Sequence, residues 1–360
     1  MAGARGGMRR RLTGDGSRRG QALACSVVDP LAGLLAGPRA RGAFVLRSDL
    51  SPPWAMEVAD GAPLTVVALV DGTAWLLPRD GAPQPLRPGD VAVVRGPAPY
   101  VMADDPGTPP QAVIGPGQTC TTPDGAAVPL TWRGARVWGS PDAAGATRMV
   151  TGTYTYHAAV SSRLLEALPP ALVVPATSAT GPAAGWLAEE VAHDAPGQDA
   201  VLDRLLDLLL VTALRDWFDH PDVTAPGWYT AAADPLVGPA LRLLQDHPDR
   251  PWTVGALAAA TTTSRATLAR RFTALVGRPP MGYLTAWRLD LAADLLLEPS
   301  STLASVARLT GYSTPYALSA AFTRHHGLSP TAHRRRGVLR HDEAESGARA
   351  PAALPPTVAR

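Results

Sequence analysis

Gly311-Tyr312-Ser313-Thr314-Pro315-Tyr316-Ala317-Leu318-Ser319-Ala320-Ala321-Phe322-Thr323-Arg324-His325-His326-Gly327-Leu328-Ser329-Pro330 restates a pattern found fifty residues earlier. Ser264-Arg265-Ala266-Thr267-Leu268, Phe272, Gly277 and Pro280 fall on Thr314 through Leu318, Phe322, Gly327 and Pro330. The preceding segment matches at an offset of 49, with Val254 on Leu303, Leu257 on Val306 and Ala258 on Ala307. One extra residue therefore lies in the second turn, where Gly311 is found. Each copy reads as a short helix, a turn and a longer helix. Ser264 and Ser313 are the expected caps. Leu268/Phe272 and Leu318/Phe322 are i, i+4 pairs that pin the second helix inward. Gly277 and Gly327 are the expected left-handed stops.

Between the copies runs Met281–Glu298, begun after Pro279-Pro280 and halted by Pro299. Tyr283, Trp287, Leu291 and Leu295 form one stripe, which Leu284, Ala292 and Leu296 broaden. Eighteen helical residues at about 1.5 Å each span ~27 Å. A rod of that length suits two reading helices held about 34 Å apart, one turn of duplex DNA.

In the first unit, Arg265, Ala266, Ala269 and Arg270 face outward when Leu268 and Phe272 face in. Tyr316, Ala317 and Ala320 are the candidates in the second. An arginine here suits the two acceptors of a guanine edge, so the first helix is expected to carry most of the base reading. Arg271, Arg278, Arg324, Arg334, Arg335 and Arg336 are the expected phosphate contacts.

The charge distribution agrees. All 33 basic residues are arginine against 31 acids, a net charge of only +2. Residues 236–340 hold 13 arginines against 5 acids, whereas residues 44–235 hold 10 against 21. A basic C-terminal third joined to an acidic body implies that only the former meets a polyanion. Hydrophobic residues make up 46%, which excludes a wholly disordered chain. The longest apolar segment, Val201–Leu214, is interrupted by Asp203, Arg204 and Asp207, so no membrane span is expected. Two cysteines, Cys25 and Cys120, make neither a disulfide framework nor a zinc ribbon. No secretory signal precedes the body, and the chain reads as cytoplasmic.

The 311–330 stretch closely resembles the signature of the AraC/XylS transcription factors. Trp252-Thr253-Val254, Arg270-Arg271-Phe272 and Pro279-Pro280-Met281-Gly282-Tyr283-Leu284 resemble the first unit of the same family. The resemblance covers about 100 residues and departs at His333, where a tyrosine that makes a terminal packing contact is usual. It implies base reading at Ala266, Ala269 and Arg270, and at Tyr316, Ala317 and Ala320. It also implies a double-stranded DNA operator and the recruitment or obstruction of RNA polymerase.

Upstream, short runs rich in Val, Thr and aromatics read as strands: Phe44–Leu50, Leu64–Val70, Thr73–Leu77, Val91–Arg95, Gln111–Ile114, Arg136–Trp138 and Met149–Tyr156. Asp71-Gly72, Asp80-Gly81, Pro88-Gly89-Asp90 and Pro106-Gly107 are the turns between them. Helices follow at Ser161–Leu168, Pro182–Ala192 and Asp199–Asp219. Asp29-Pro30-Leu31, Leu86-Arg87-Pro88-Gly89-Asp90-Val91 and Ala167-Leu168-Pro169-Pro170 resemble the cupin-type sensor half of one AraC-like subgroup. The expected architecture is multidomain: an N-terminal cupin-like β-barrel or sandwich plus helices, then an all-α domain with two helix-turn-helix units. Its expected bounds are a disordered basic arm over 1–26, a sensor or dimerisation domain over 27–219, a linker over 220–235, the DNA-binding domain over 236–336 and a disordered tail over 337–360.

The 199–219 helix is apolar on more than one stripe, and Leu202, Leu205, Leu206 and Leu209 are its candidate homodimer seam; packing on its own barrel is an equal reading. The resemblance further implies an unidentified small-molecule effector. Cupins that bind metal use His-x-His with a further Glu and His. No His-x-His occurs here, so neither metal nor other cofactor is expected, and the protein reads as no enzyme. Two alternatives stand beside this reading: a metal-dependent cupin enzyme tethered to DNA, and a regulator whose N-terminal half binds a partner protein. Trp54, Trp75, Trp132, Trp138 and Tyr100 would line a pocket in that half or fill its core.

Overall fold

The computed structural model describes residues 43–128, 131–140, 146–154, 164–298 and 300–336. The arm expected over 1–26, the tail over 337–360, Cys25 and the start of the 161–168 helix lie outside the described residues. So does the side chain of Trp132.

Two sheets form the N-terminal half. The first has the order β10 (Thr131–Gly134), β11 (Val137–Gly139), β1 (Phe44–Leu50), β12 (Thr147–Tyr154), β3 (Leu64–Asp71), β6 (Val91–Arg95) and β13 (Ala171–Val174). The second runs β5 (Gln84–Leu86), β4 (Ala74–Pro78), β7 (Tyr100–Ala103), β2 (Ala55–Val58), β8 (Ala112–Ile114) and β9 (Cys120–Thr121). Side chains alternate across a strand, and the first sheet uses both faces. Leu64, Val66 and Ala68 of β3, with Val91 and Val93 of β6, point into one apolar cluster. Val67 and Leu69, with Ala92 and Val94, point into another, shared with Leu76, Met102 and Trp54 of the second sheet. This is a β-rich cupin-like body whose inner core lies between the sheets.

The outer core is closed by helices α1 (Thr180–Val191) and α2 (Gln198–Phe218). Gly152 on β12 lets α2 approach: a Cβ there would sit 2.3 Å from Leu206 Cδ1. Leu202, Leu206 and Leu209 are at most 1% exposed in this cluster, and Leu205 is partly buried against it. The dimer seam expected at these positions is thus corrected. Three of its four leucines are core of their own chain, because the apolar faces of β1, β3 and β12 need a cover.

The 220–235 segment holds a helix, α3 (Gly227–Ala232), where a linker was expected. Its composition, with Pro221, Pro226 and Gly227, reads as a breaker, yet Pro226 starts the helix and Ala231 and Ala232 are buried. Six helices follow: α4 (Val237–Asp246), α5 (Val254–Ala260), α6 (Arg265–Val276), α7 (Pro280–Leu297), α8 (Leu303–Leu309) and α9 (Pro315–His326). Residues 330–336 are also helical. Among the described residues no helix is long and apolar enough to cross a membrane.

The long helix α7 is apolar nearly all round because it serves two cores. Tyr283, Leu284 and Trp287 enter one with Leu257, Leu268 and Phe272. Leu289, Ala292, Ala293 and Leu296 enter the other with Val306, Leu318 and Phe322.

Candidate nucleic-acid interface

The internal repeat becomes two superimposable local geometries. The helices α5 and α8 are 7 residues each, and α6 and α9 are 12 each. Thr253 and Thr302 cap the first helices, accepting from the amides of Ala256 and Ser305. Thr262 (φ 52°) and Gly311 (φ 73°) take the same left-handed turn, so Gly311 is no insertion. The amides of Thr263 and Tyr312 then donate to Ala258 and Ala307. The extra residue is Ser313. It stands outside the repeat, and Thr314 is the cap of α9, accepting from Ala317 N with Pro315 at the first helical position. The expected cap at Ser313 was one residue early, because two hydroxyl residues adjoin and only the one before proline has the right spacing. Ser264 caps α6, accepting from Thr267 N, as expected. Gly277 and Gly327 end the two helices at φ 77° and 72°.

The second helices each bury one stripe and show the other. Leu268, Phe272, Leu318 and Phe322 are fully buried. Arg265, Ala266 and Arg270 are exposed and Ala269 is half-buried. The Arg265 guanidinium lies over Gly255 on α5, where a Cβ would come within 2.7 Å of its Nε. Arg270 makes no such contact. In the second unit Tyr316 is 84% exposed, the largest exposure of any bulky apolar side chain described, while Ala317 and Ala320 are half-buried. Burying an aromatic this exposed against a partner is favourable, and a donor-poor neighbourhood suits apolar or shape contact.

The phosphate candidates divide. Arg278, Arg324, Arg335 and Arg336 are exposed. Arg334 turns inward and donates to Leu296 O and Ser301 O at 3.0 and 2.9 Å, so it ties the 330–336 segment to the end of α7. Its donors there go to carbonyl groups that helix ends leave open. Arg271 donates to Asp234 Oδ2 from Nε and Nη2 at 2.9 and 2.6 Å. These two are corrected from phosphate contacts to structural ties. Sequence periodicity shows which face a residue is on, and it does not show that a carbonyl or carboxylate already waits there. His333 keeps the packing role of the usual tyrosine: its ring lies 5.4 Å from Phe322, and its Nε2 is 3.1 Å from Ala293 O.

Asp234 also accepts from the amides of Leu236 and Val237, holding the start of α4. Burial raises its carboxyl, and Arg271 with those two amides outweighs burial, so the group lies below the usual carboxylate range. A lowered folded-state value means stabilisation present above the unfolded value of about 3.9 and lost as pH falls through the folded one. Asp234→Ala is expected to lower stability by about 1 kcal/mol at pH 7, with a few tenths from the exposed ion pair. In thermal melts the gap between variant and parent should close as pH falls below about 4.

The two halves touch through α3. Trp228 packs against both the outer core of the cupin-like half and the first helix-turn-helix core. Phe218, at the end of α2, meets Trp228 and Tyr229 with ring centroids 5.8 and 5.0 Å apart. Tyr229 donates to Asp219 at 2.9 Å. On the other side, Gly227 lies against Leu275 O of α6, and Arg271 of α6 holds Asp234. No periodic signal marks this path, because a six-residue helix with one proline start is too short to show a period.

Between the two sheets a narrow crevice of about 40 Å³ is lined by Met56, Tyr100, Met102, Trp138 and Met149, with Asp60 among its polar atoms. Burial raises the Tyr100 phenol above its ordinary range. The Trp138 Nε1 donor is buried and has no hydrogen-bond partner among the described residues. Trp54 is core, and Trp75 is half-buried. Cys120 is half-buried, and burial pushes its thiol up to about 11, so it is little ionised at neutral pH.

Comparison with known proteins follows the same division. The family profile described as Cupin matches residues 29–219, over half the chain, and one described as Helix-turn-helix domain matches residues 257–336. An AraC-like transcription regulator of Streptomyces lividans is 36% identical over 195 residues, 53% of this chain and 64% of that protein. The HTH-type transcriptional regulator AlkR of Acinetobacter baylyi is 34% identical over 183 residues, 49% of this chain and 59% of that protein. The matches thus span less than two thirds of these relatives. The DNA-binding domain of AdpA, solved in complex with a target DNA, is 33% identical, covering 31% of this chain and 98% of that one at a TM-score of 0.29. The chain belongs to the cupin family over its N-terminal half and carries a helix-turn-helix domain of the AraC type after it.

Proposed function

We propose that the chain is a transcription regulator that binds a double-stranded DNA operator, with α6 and α9 in successive major grooves. The observation that carries this is the duplicated 12-residue helix, each copy capped, each buried on one stripe and exposed on the other, held on the shared helix α7. Arg270 reads bases in the first groove. Tyr316 makes apolar and shape contacts in the second. Arg278, Arg324, Arg335 and Arg336 meet phosphates. The role is binding rather than catalysis, and transcription is changed through RNA polymerase. Selection of duplexes from a random pool by the full chain tests this. One enriched motif is expected, and Arg270→Ala should cost about 1–3 kcal/mol of discrimination at one position of it. No enrichment over the pool would end the proposal.

The N-terminal half senses a small effector that widens the narrow crevice between its sheets. Support comes from the apolar lining and from the unpartnered Trp138 donor, which suits a ligand carrying an acceptor. A ligand that favours one packing of α2 against α3 would shift α6 through Trp228 and the Asp234–Arg271 pair, by its differential affinity for the two arrangements. Two copies associate through what α2 still shows: Val201 (44% exposed), Leu208 (40%) and the half-buried Leu205 between them.

A further inference from the structure

A buried carboxylate sits beside two histidines in the second helix-turn-helix unit, away from the face that carries Tyr316. Asp290, on α7, is 4% exposed. His325 and His326 are the last two residues of α9. His325 Nε2 lies 3.5 Å from Asp290 Oδ1. One donor atom from each of the three residues lies within 4.8 Å of the others, the one such group among the described residues.

Three physical features converge there. Asp290 presents a buried carboxylate oxygen to His325 Nε2, an oxygen donor beside a nitrogen donor. The site lies at the C-terminal end of a helix, where the backbone carbonyls favour a cation. His326 is already oriented: its Nε2 is 3.3 Å from Leu289 O, and its ring lies tilted against Phe322 with centroids 4.3 Å apart. With the proton on Nε2 bonded to that carbonyl, Nδ1 carries the lone pair, the usual way a ligand histidine is held.

We propose that Asp290, His325 and His326 bind a divalent transition-metal ion of the zinc class. Two imidazoles and one carboxylate are the nitrogen and oxygen donors such an ion takes, and three protein ligands leave a fourth position for water. Bonds of about 2.0 Å place tetrahedral ligands ~3.3 Å apart, so the donors must close by about 1.5 Å. His325, one residue from the end of α9 and about one third exposed, supplies that movement by rotation of its side chain. The bound ion ties the C-terminus of α9 to α7 and adds positive charge one residue from Arg324.

The test uses the full chain, stripped with a chelator and titrated with cobalt(II), then zinc(II), in the absence of DNA. One equivalent of cobalt(II) should bind with the intense visible absorption of a tetrahedral site, zinc should displace it, and zinc should raise the melting temperature. His325→Ala, at a half-exposed position that leaves the core intact, should weaken cobalt binding by about tenfold or more and remove the absorption. Asp290→Asn should do the same, and His220→Ala, far along the chain, should change nothing. A cobalt spectrum and affinity unaltered by His325→Ala, or no tetrahedral absorption in the parent chain, would overturn the site. Because no DNA is present, either result leaves the operator-binding proposal to its own test.

Discussion

Phe322→Ala is expected to unfold the second helix-turn-helix unit and abolish operator binding while the cupin-like half stays folded. Phe322 is fully buried, and it is the one buried aromatic of its cluster among the described residues. Its neighbours there are leucines, alanines and Val306. The rings of His326 and His333 also lean on it, at 4.3 and 5.4 Å. Removing such a side chain costs about 3–5 kcal/mol, from the lost transfer free energy and the cavity left behind. That is a large share of the roughly 5–15 kcal/mol that holds a domain together. The first unit should survive better when Phe272 is cut back, because Tyr283 and Trp287 of α7 fill the same core. Denaturation followed by circular dichroism should show an early transition in Phe322→Ala that the parent lacks. A loss under about 1 kcal/mol would mean that the second unit is not built around this ring.

Leu206→Ala should destabilise the N-terminal half by about 2–5 kcal/mol, independently of protein concentration. Leu206 is fully buried, and its methyl groups occupy the space that Gly152 leaves vacant on β12. A leucine in a dimer seam would behave differently: its loss would leave the monomer intact and shift association. Leu208→Glu has that second pattern, a small change in stability and a fall in sedimenting mass, because Leu208 points outward. Urea denaturation at two protein concentrations, with sedimentation, separates the two. The account of α2 fails if Leu206→Ala changes only the association.

The C-terminal half was legible to within a residue because each of its signals is local. The i, i+4 pairs and the glycine stops act within one helical turn, the fifty-residue repeat shows the same local grammar twice, and α6 and α9 fall where these place them. The slip at Ser313 came from two adjacent hydroxyl residues. Strands β1 and β6 were readable from β-branched runs, whereas β2, β7 and β13 were not. Ala55–Val58 and Tyr100–Ala103 are four residues each and follow prolines, so neither shows a period. The seam assigned to Leu202, Leu206 and Leu209 failed for a different reason. An apolar helical stripe records that something covers it, and whether that is a second chain or the chain's own sheet is a matter of tertiary structure. The ties at Arg271 and Arg334, and the meeting of Asp290 with His325 and His326, join residues some 33 to 38 positions apart and have no sequence period.

The central claim is that α6 and α9 lie in two consecutive major grooves on one side of a duplex. Methylation interference with the full chain on a selected duplex tests it most directly. The account predicts two clusters of interfering guanine N7 positions centred about 10 base pairs apart on the same face, with the cluster under α6 lost in Arg270→Ala. A single cluster, two clusters on opposite faces, or protection confined to the minor groove would contradict it.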